Sequence, residues 1–126
     1  MASVLALGLD PNVVDAQSVS GLAPDLVRAF IDTQLNRIRA CGYDVESCLV
    51  DAGDTAESVL TDHLRKRTFD CVMIGAGLRA PERLPLFEKL LNVVHALAPA
   101  AKICFNTTPA DSVEAVQRWL GSDRGP

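Results

Sequence analysis

Apolar residues along this chain fall into two kinds of run that alternate. Ser3 to Leu9 is a short continuous apolar stretch that stops at Asp10-Pro11, the pattern of a strand covered on both faces. Leu22 to Cys41 instead spaces Leu22, Leu26, Val27, Phe30, Ile31, Leu35 and Ile38 as one stripe of a helix. Pro24 suits its first turn and Gly42 its stop. Tyr43 to Val50 predicts the second strand. Asp54 and Glu57 read as a capping box. It opens a helix to about Lys66 with Val59, Leu60 and Leu64 facing inward. Phe69 to Ile74 is the third and most apolar strand, broken by Gly75-Ala76-Gly77. Leu84 to Leu97 is a helix with Phe87, Leu90, Leu91, Val94 and Leu97 on one side, and Lys102 to Asn106 is the fourth strand. Asp111 with Glu114 forms a second capping box before a last helix that ends at Leu120. The polar tail Gly121 to Pro126 is expected to fray.

Strands alternating with helices imply parallel strand–helix–strand units with right-handed crossovers. The expected fold is therefore a three-layer, flavodoxin-like α/β domain with a parallel four-stranded sheet in the order 2-1-3-4. The length of 126 residues suits a single domain over residues 1–126. Such a domain buries roughly two-thirds of its unfolded surface and needs no metal or disulfide to fold. No repeat, linker or low-complexity segment interrupts it.

Charge narrows the choice of partners. The net charge is −4 and no long basic run occurs, which argues against nucleic acid. Arg65-Lys66-Arg67 reads as a solvated helix end. The opening residues lack the positive region of a signal peptide and fall far short of the roughly 20 apolar residues that span a bilayer. A cytoplasmic protein without membrane contact is expected. Cys41, Cys48, Cys71 and Cys104 form no C-x-x-C pair and read as buried free thiols. His63 and His95 sit on predicted helices away from any cysteine motif, so no metal site is expected. Neither a cofactor nor a complete catalytic set is legible.

In open parallel sheets, ligands bind beyond the carboxyl ends of the strands, where strand order reverses. That places Asp10-Pro11-Asn12, Asp51, Gly75 to Arg79 and Asn106-Thr107-Thr108 at the candidate site. Gly75 and Gly77 allow close backbone approach, and successive N–H groups there would form a nest for an anion. Arg79 would add a planar donor fork for phosphate or carboxylate. The competing reading is that the glycines turn the chain and Arg79 is a surface residue. Asp10 reads either as a general base or magnesium ligand, or as a turn residue before Pro11. The long connection from Asp10 to Gly21 reads as a lid, a surface excursion or a subunit contact.

The first strand ending in Asp10, the strand Asp70 to Ile74 and the strand end Asn106-Thr107-Thr108 together resemble the response-regulator receiver domain, over residues 3 to about 120. Gly75 stands where a receiver carries its phosphoacceptor aspartate. Asp10 alone replaces the usual acidic pair, and no fifth strand with its lysine is evident. The resemblance thus implies a receiver-like protein-interaction domain, including a homodimer, that is not phosphorylated. Val72 to Arg79 and Cys104 to Pro109 are also similar to a family of small uncharacterised bacterial α/β proteins. That likeness implies that the glycine turn and the Asn-Thr strand end belong to one site. The leading functional expectation is a module binding a small anionic or nucleotide-like ligand through Asp10, Gly75, Gly77, Arg79, Asn106 and Thr107. An enzyme using Asp10 beside Arg79 ranks last.

Overall fold

A computed structural model of the chain describes residues 1–13 and 23–121. The four strands are β1 (Ser3–Leu9), β2 (Asp44–Val50), β3 (Cys71–Ile74) and β4 (Lys102–Phe105). They form one parallel sheet in the order β2-β1-β3-β4. The helices are α1 (Pro24–Ala40), α2 (Ala56–Lys66), α3 (Leu84–Leu97) and α4 (Ser112–Leu120). The α/β flavodoxin-like arrangement expected from the alternating pattern is the one observed.

Side chains of successive strand residues point to opposite faces, and here they sort into two cores. Leu5, Leu7 and Leu9 join Cys48, Val50, Val72 and Ile74 beneath α2 and α3. Val4 and Ala6 join Val45, Cys71, Met73 and Cys104 beneath α1 and α4. Three layers result, with the sheet in the middle. Register is pinned at the start of the sheet by Asp70. Its carboxylate accepts from the Ser3 amide at 2.8 Å and the Ser3 hydroxyl at 3.2 Å.

Several local expectations are corrected. α1 buries Leu35 and Ile38 as expected and Gln34 as well, but leaves Leu26 and Phe30 exposed. Its expected start at Leu22 lies outside the described residues. β3 begins at Cys71 rather than Phe69, although Phe69 is buried, and β4 ends at Phe105 rather than Asn106. Asp54 does not cap α2. The cap residue is Thr55, and the polar turn is held by Asp51, which accepts from the Gly53 amide at 3.1 Å and the Thr55 hydroxyl at 2.9 Å. Those bonds lower the pKa of Asp51, the Thr55 hydroxyl most of all. The second capping box exists but is shifted. Thr108 accepts from the Ala110 amide at 3.1 Å, and Asp111, not Glu114, returns the bond to the Thr108 amide at 3.2 Å.

The predicted solvated cluster is partly engaged. Arg67 pairs with Asp44 at 2.8 Å and lies over the Phe69 ring. His63 Nδ1 is in hydrogen-bonding contact with the Glu46 carboxylate between α2 and β2. Of the tail, only Gly121 is described; its carbonyl accepts from the Tyr43 hydroxyl.

Leu60 is fully buried between the sheet and the α2–α3 layer. Leu60→Ala is expected to destabilise the domain by about 3 kcal/mol, through lost transfer energy and the void left behind. A urea titration checks this: the midpoint should fall while the slope stays constant.

Candidate functional site

The two faces of β1 differ in volume, and the difference makes a hollow. One face carries three leucines. The other carries Val4, then Ala6, then Gly8, so side-chain bulk shrinks toward the carboxyl end of the strand. Gly75 continues β3 at the same level, with its amide donating to Leu7 O at 2.8 Å. A cavity of about 180 Å³ remains at the ends of β1 and β3. Among the described residues, Ala6, Gly8, Met73 and Gly75 form its floor on the sheet. Val27, Ile31, Gln34 and Leu35 of α1 form its roof, and Asn106, Pro109 and Ser112 close one side.

The walls are mostly apolar, and no ionisable side chain lines the cavity among the described residues. Its polar side chains among those residues are Gln34, Ser47, Asn106 and Ser112, of which Asn106 and Ser112 bond to each other. Asn106 is buried and donates from Nδ2 to the Ser112 hydroxyl at 3.1 Å, and that hydroxyl donates to Pro109 O at 2.7 Å. Gln34, 6% exposed, accepts from the Arg37 guanidinium at 3.0 Å through Oε1.

Arg79, the expected anion-binding cation, is turned inward. It donates to the carbonyl oxygens of Ile74 and Asn106 and, at 3.4 Å, to Asn106 Oδ1. Its guanidinium also lies over the Phe105 ring at 5.1 Å, and that ring meets Phe87 edge-on. Arg118 caps the Phe105 carbonyl in the same way at 2.8 Å. Strand-end carbonyls that leave a sheet have no ladder partner, so a buried one needs a donor from elsewhere. Arginine side chains supply it here. Burial lowers the pKa of Arg79, and the nearby Asp111 charge opposes that shift.

The glycine turn also differs from expectation. Ala76–Arg79 is a short 3-10 turn, and neither Gly75 nor Gly77 has a positive φ. The alternation of right- and left-handed residues that builds an anion nest is therefore absent from it. Gly75 still matters, because it keeps the floor of the cavity low. Gly77 is exposed, and a methyl group added to it would meet Leu9 Cβ at 3.4 Å.

Asp10 and Thr107 have found internal partners too. Asp10 accepts from the Asn12 amide at 2.9 Å and pairs with Arg28 of α1 at 2.9 Å. It thus serves as a turn residue and ties β1 to α1 at the rim of the cavity. Thr107 gives its hydroxyl to Asp111 at 2.7 Å and its amide to the same carboxylate at 2.9 Å. Of the expected site residues, Gly75, Gly77 and Asn106 line the cavity; Asp10, Arg79 and Thr107 support its surroundings. The expected lid lies largely outside the described residues. Ala6, Gly8, Ile31, Gln34 and Met73 were missed. The signal that points to them is the alternation of leucine with small residues in Leu5-Ala6-Leu7-Gly8-Leu9.

Cys71 and Cys104, both buried, bring their sulfurs to 3.4 Å within the same core. Cys48 is buried on the opposite face, and burial pushes its thiol up to about 12. All four cysteines are free. Among the described residues there is no cluster of metal-ligating side chains, and no helix is long and apolar enough to cross a membrane.

Two expectations follow from these contacts. Arg79→Met should cost about 2 kcal/mol, because it leaves two strand-end carbonyls without their donor. Arg79→Lys should recover only part of that loss, since a point charge does not reproduce the planar fork. Thermal unfolding of the two variants tests the order. Asp111 gives a pH signature. Burial raises its pKa, but the hydrogen bonds from Thr107 and Thr108 outweigh burial and hold it below its ordinary 3.8. The unfolded chain then binds this proton more readily than the folded one, so stability rises with pH. The contribution is complete above the ordinary carboxylate value and is lost as pH falls through the folded one. Stability measured from about pH 7 down to about pH 3 should fall less steeply in Asp111→Asn than in the parent protein.

No protein-family model and no curated protein matches this chain.

Proposed function

We propose that this chain is a binding domain for a small, largely apolar molecule held between α1 and the carboxyl ends of β1 and β3. One observation carries the reading. The sheet face under α1 is built from small residues at the position where the strand order reverses, and the space they leave is a cavity of about 180 Å³. Ligand sites in open α/β sheets lie at this position. They are concave and mostly apolar, with a few polar groups to orient the ligand. A hollow of about 150 Å³ lined by aliphatic residues takes up benzene, so this one suits a single ring with one substituent.

The expected anionic or nucleotide-like ligand has weaker support. Arg79 spends its donors on main-chain carbonyls, Arg28 is held by Asp10, and no cation reaches into the cavity among the described residues. A buried anion there would lack a counter-charge, which is costly. The cavity is also smaller than the roughly 300–1,000 Å³ of sites for larger ligands.

Gly8 supplies the test. A methyl group at Gly8 would touch only Leu49, at 3.6 Å, and the residue has no positive φ. Gly8→Ala should therefore fold, and should be more stable by about 0.5 kcal/mol because the unfolded chain loses freedom. It should also narrow the cavity. Methyl NMR with toluene is expected to shift Ala6, Ile31 and Met73 in the parent protein and to shift them much less in Gly8→Ala. Saturable binding of inorganic phosphate that disappears in Arg79→Met, with no response to toluene, would replace this reading by the anionic one.

A further inference from the structure

Among the described residues, Gln34 is a buried cavity-lining polar side chain whose hydrogen-bonding capacity is left partly unused; the exposed Ser47 of β2 also borders the cavity. Gln34 stands in the middle of α1 and is 6% exposed. Its orientation is not arbitrary. Arg37 carries only donors, so the atom facing it at 3.0 Å must be the amide oxygen. The amide nitrogen is thereby directed away from Arg37. It donates to none of the described residues, yet it is not among the buried polar atoms sealed from accessible space. Gln34 is one of the residues that line the cavity.

Asn106 and Ser112 offer a contrast. They line the same cavity but complete a chain of bonds that ends on Pro109 O. The Ser112 hydroxyl and one N–H of Asn106 are thereby engaged. The Gln34 amide has two N–H donors, and neither donates to an acceptor among the described residues. A polar group placed so deep is costly unless it is paired.

Resting on the cavity reading above, we infer that the ligand is an uncharged molecule of about one ring that bears a carbonyl-type acceptor, received by the Gln34 side-chain amide. Each part of that class has its own source. The apolar walls favour a hydrocarbon body. The lack of any ionisable lining residue among those described excludes a full charge from the favoured class. The free donor selects an acceptor rather than a second donor. Sites of this build discriminate well, because an analogue without the acceptor leaves the amide unpaired. Gln34 is here a binding and specificity residue, and no bond-making step is implied.

The test uses two ligands of equal shape, cyclohexanone and methylenecyclohexane, with cyclohexanecarboxylate as the charged control. Affinities are measured by NMR titration on the full chain, for the parent protein and for Gln34→Leu. Arg37 is exposed, so loss of its partner leaves no buried charge. Gln34→Leu should weaken cyclohexanone about five-fold, the scale of one net hydrogen bond, and leave methylenecyclohexane unchanged. In the parent protein the Gln34 side-chain amide resonances should move with the ketone and not with the alkene. Gln34→Met repeats the comparison should the leucine variant not fold, and the amide resonances decide the matter without any variant.

The outcomes separate the two levels of the argument. If both neutral rings bind but Gln34→Leu weakens them equally, or the amide resonances stay still, the acceptor class is wrong and the apolar site stands. If the carboxylate binds best, the uncharged class is overturned. If no ring binds at all, the cavity reading itself fails.

Discussion

β1 is the constraint on which the rest of the structure depends. It pairs with both β2 and β3, over seven and four residues respectively, so it has no exposed edge and both of its faces are covered by helices. A strand so placed must satisfy two packing problems at once, because each residue serves one face only. On the α2–α3 side, three leucines are buried in one core. On the α1–α4 side, bulk falls from Val4 to Ala6 to Gly8 as the chain moves toward the crevice. The same seven residues therefore make one face a close-packed core and the other the floor of a cavity. Moving the register by a single residue would exchange the two faces. The Asp70–Ser3 hydrogen bonds at the start of the sheet oppose that slip.

At the opposite end of the sheet the limiting problem is electrostatic. Parallel strands leave their last carbonyls pointing toward the crevice, and a ligand site there would normally compete for any nearby cation. Here Arg79 and Arg118 are drawn to those carbonyls, and Arg28 is drawn to Asp10. Asp111 gathers Thr107 and Thr108. The polar rim visible in the sequence is thus largely a set of mutual satisfactions. What it does for the site is mechanical: it holds the ends of β3 and β4 and the first turn of α1 at fixed positions around an apolar hollow.

This explains what was legible in the sequence and what was not. The alternation of strands with helices, the helix limits of Leu84–Leu97 and the core positions Leu35, Leu60 and Leu90 follow from hydrophobic period, which burial enforces directly. The place of the site follows from topology. Its chemistry was harder to read, because residue type indicates what a side chain can bond but not which neighbour reaches it first. Arg79 looked like an anion receptor since its partners, main-chain carbonyls, carry no sequence signature. Asp54 and Asp51 are equally good turn residues by type, and only three-dimensional reach decides that Asp51 takes the Thr55 hydroxyl. Gln34 sat at the edge of a helical stripe formed by Ile31, Leu35 and Ile38, as an apparent polar interruption. Its meaning depends on the emptiness below it, which composition does not reveal.

The emptiness itself has an energetic consequence. At ~24 cal/mol per Å³, a void of about 180 Å³ corresponds to on the order of 4 kcal/mol of packing stability that the domain forgoes. A mouth open to solvent reduces that figure, since exposed walls were never fully desolvated, but the remainder is a substantial part of the ~5–15 kcal/mol that stabilises a folded domain. The sequence had a simple way to recover some of it, because alanine fits at Gly8 without strain. A glycine in a central strand is additionally unfavourable through its own entropy. Two independent stability losses thus coincide at one spot, directly beneath a buried glutamine with an unused donor. Packing alone gives no reason for the three to meet. A ligand that fills the hollow and accepts from Gln34 accounts for all of them, since sites for binding are commonly maintained at the expense of stability.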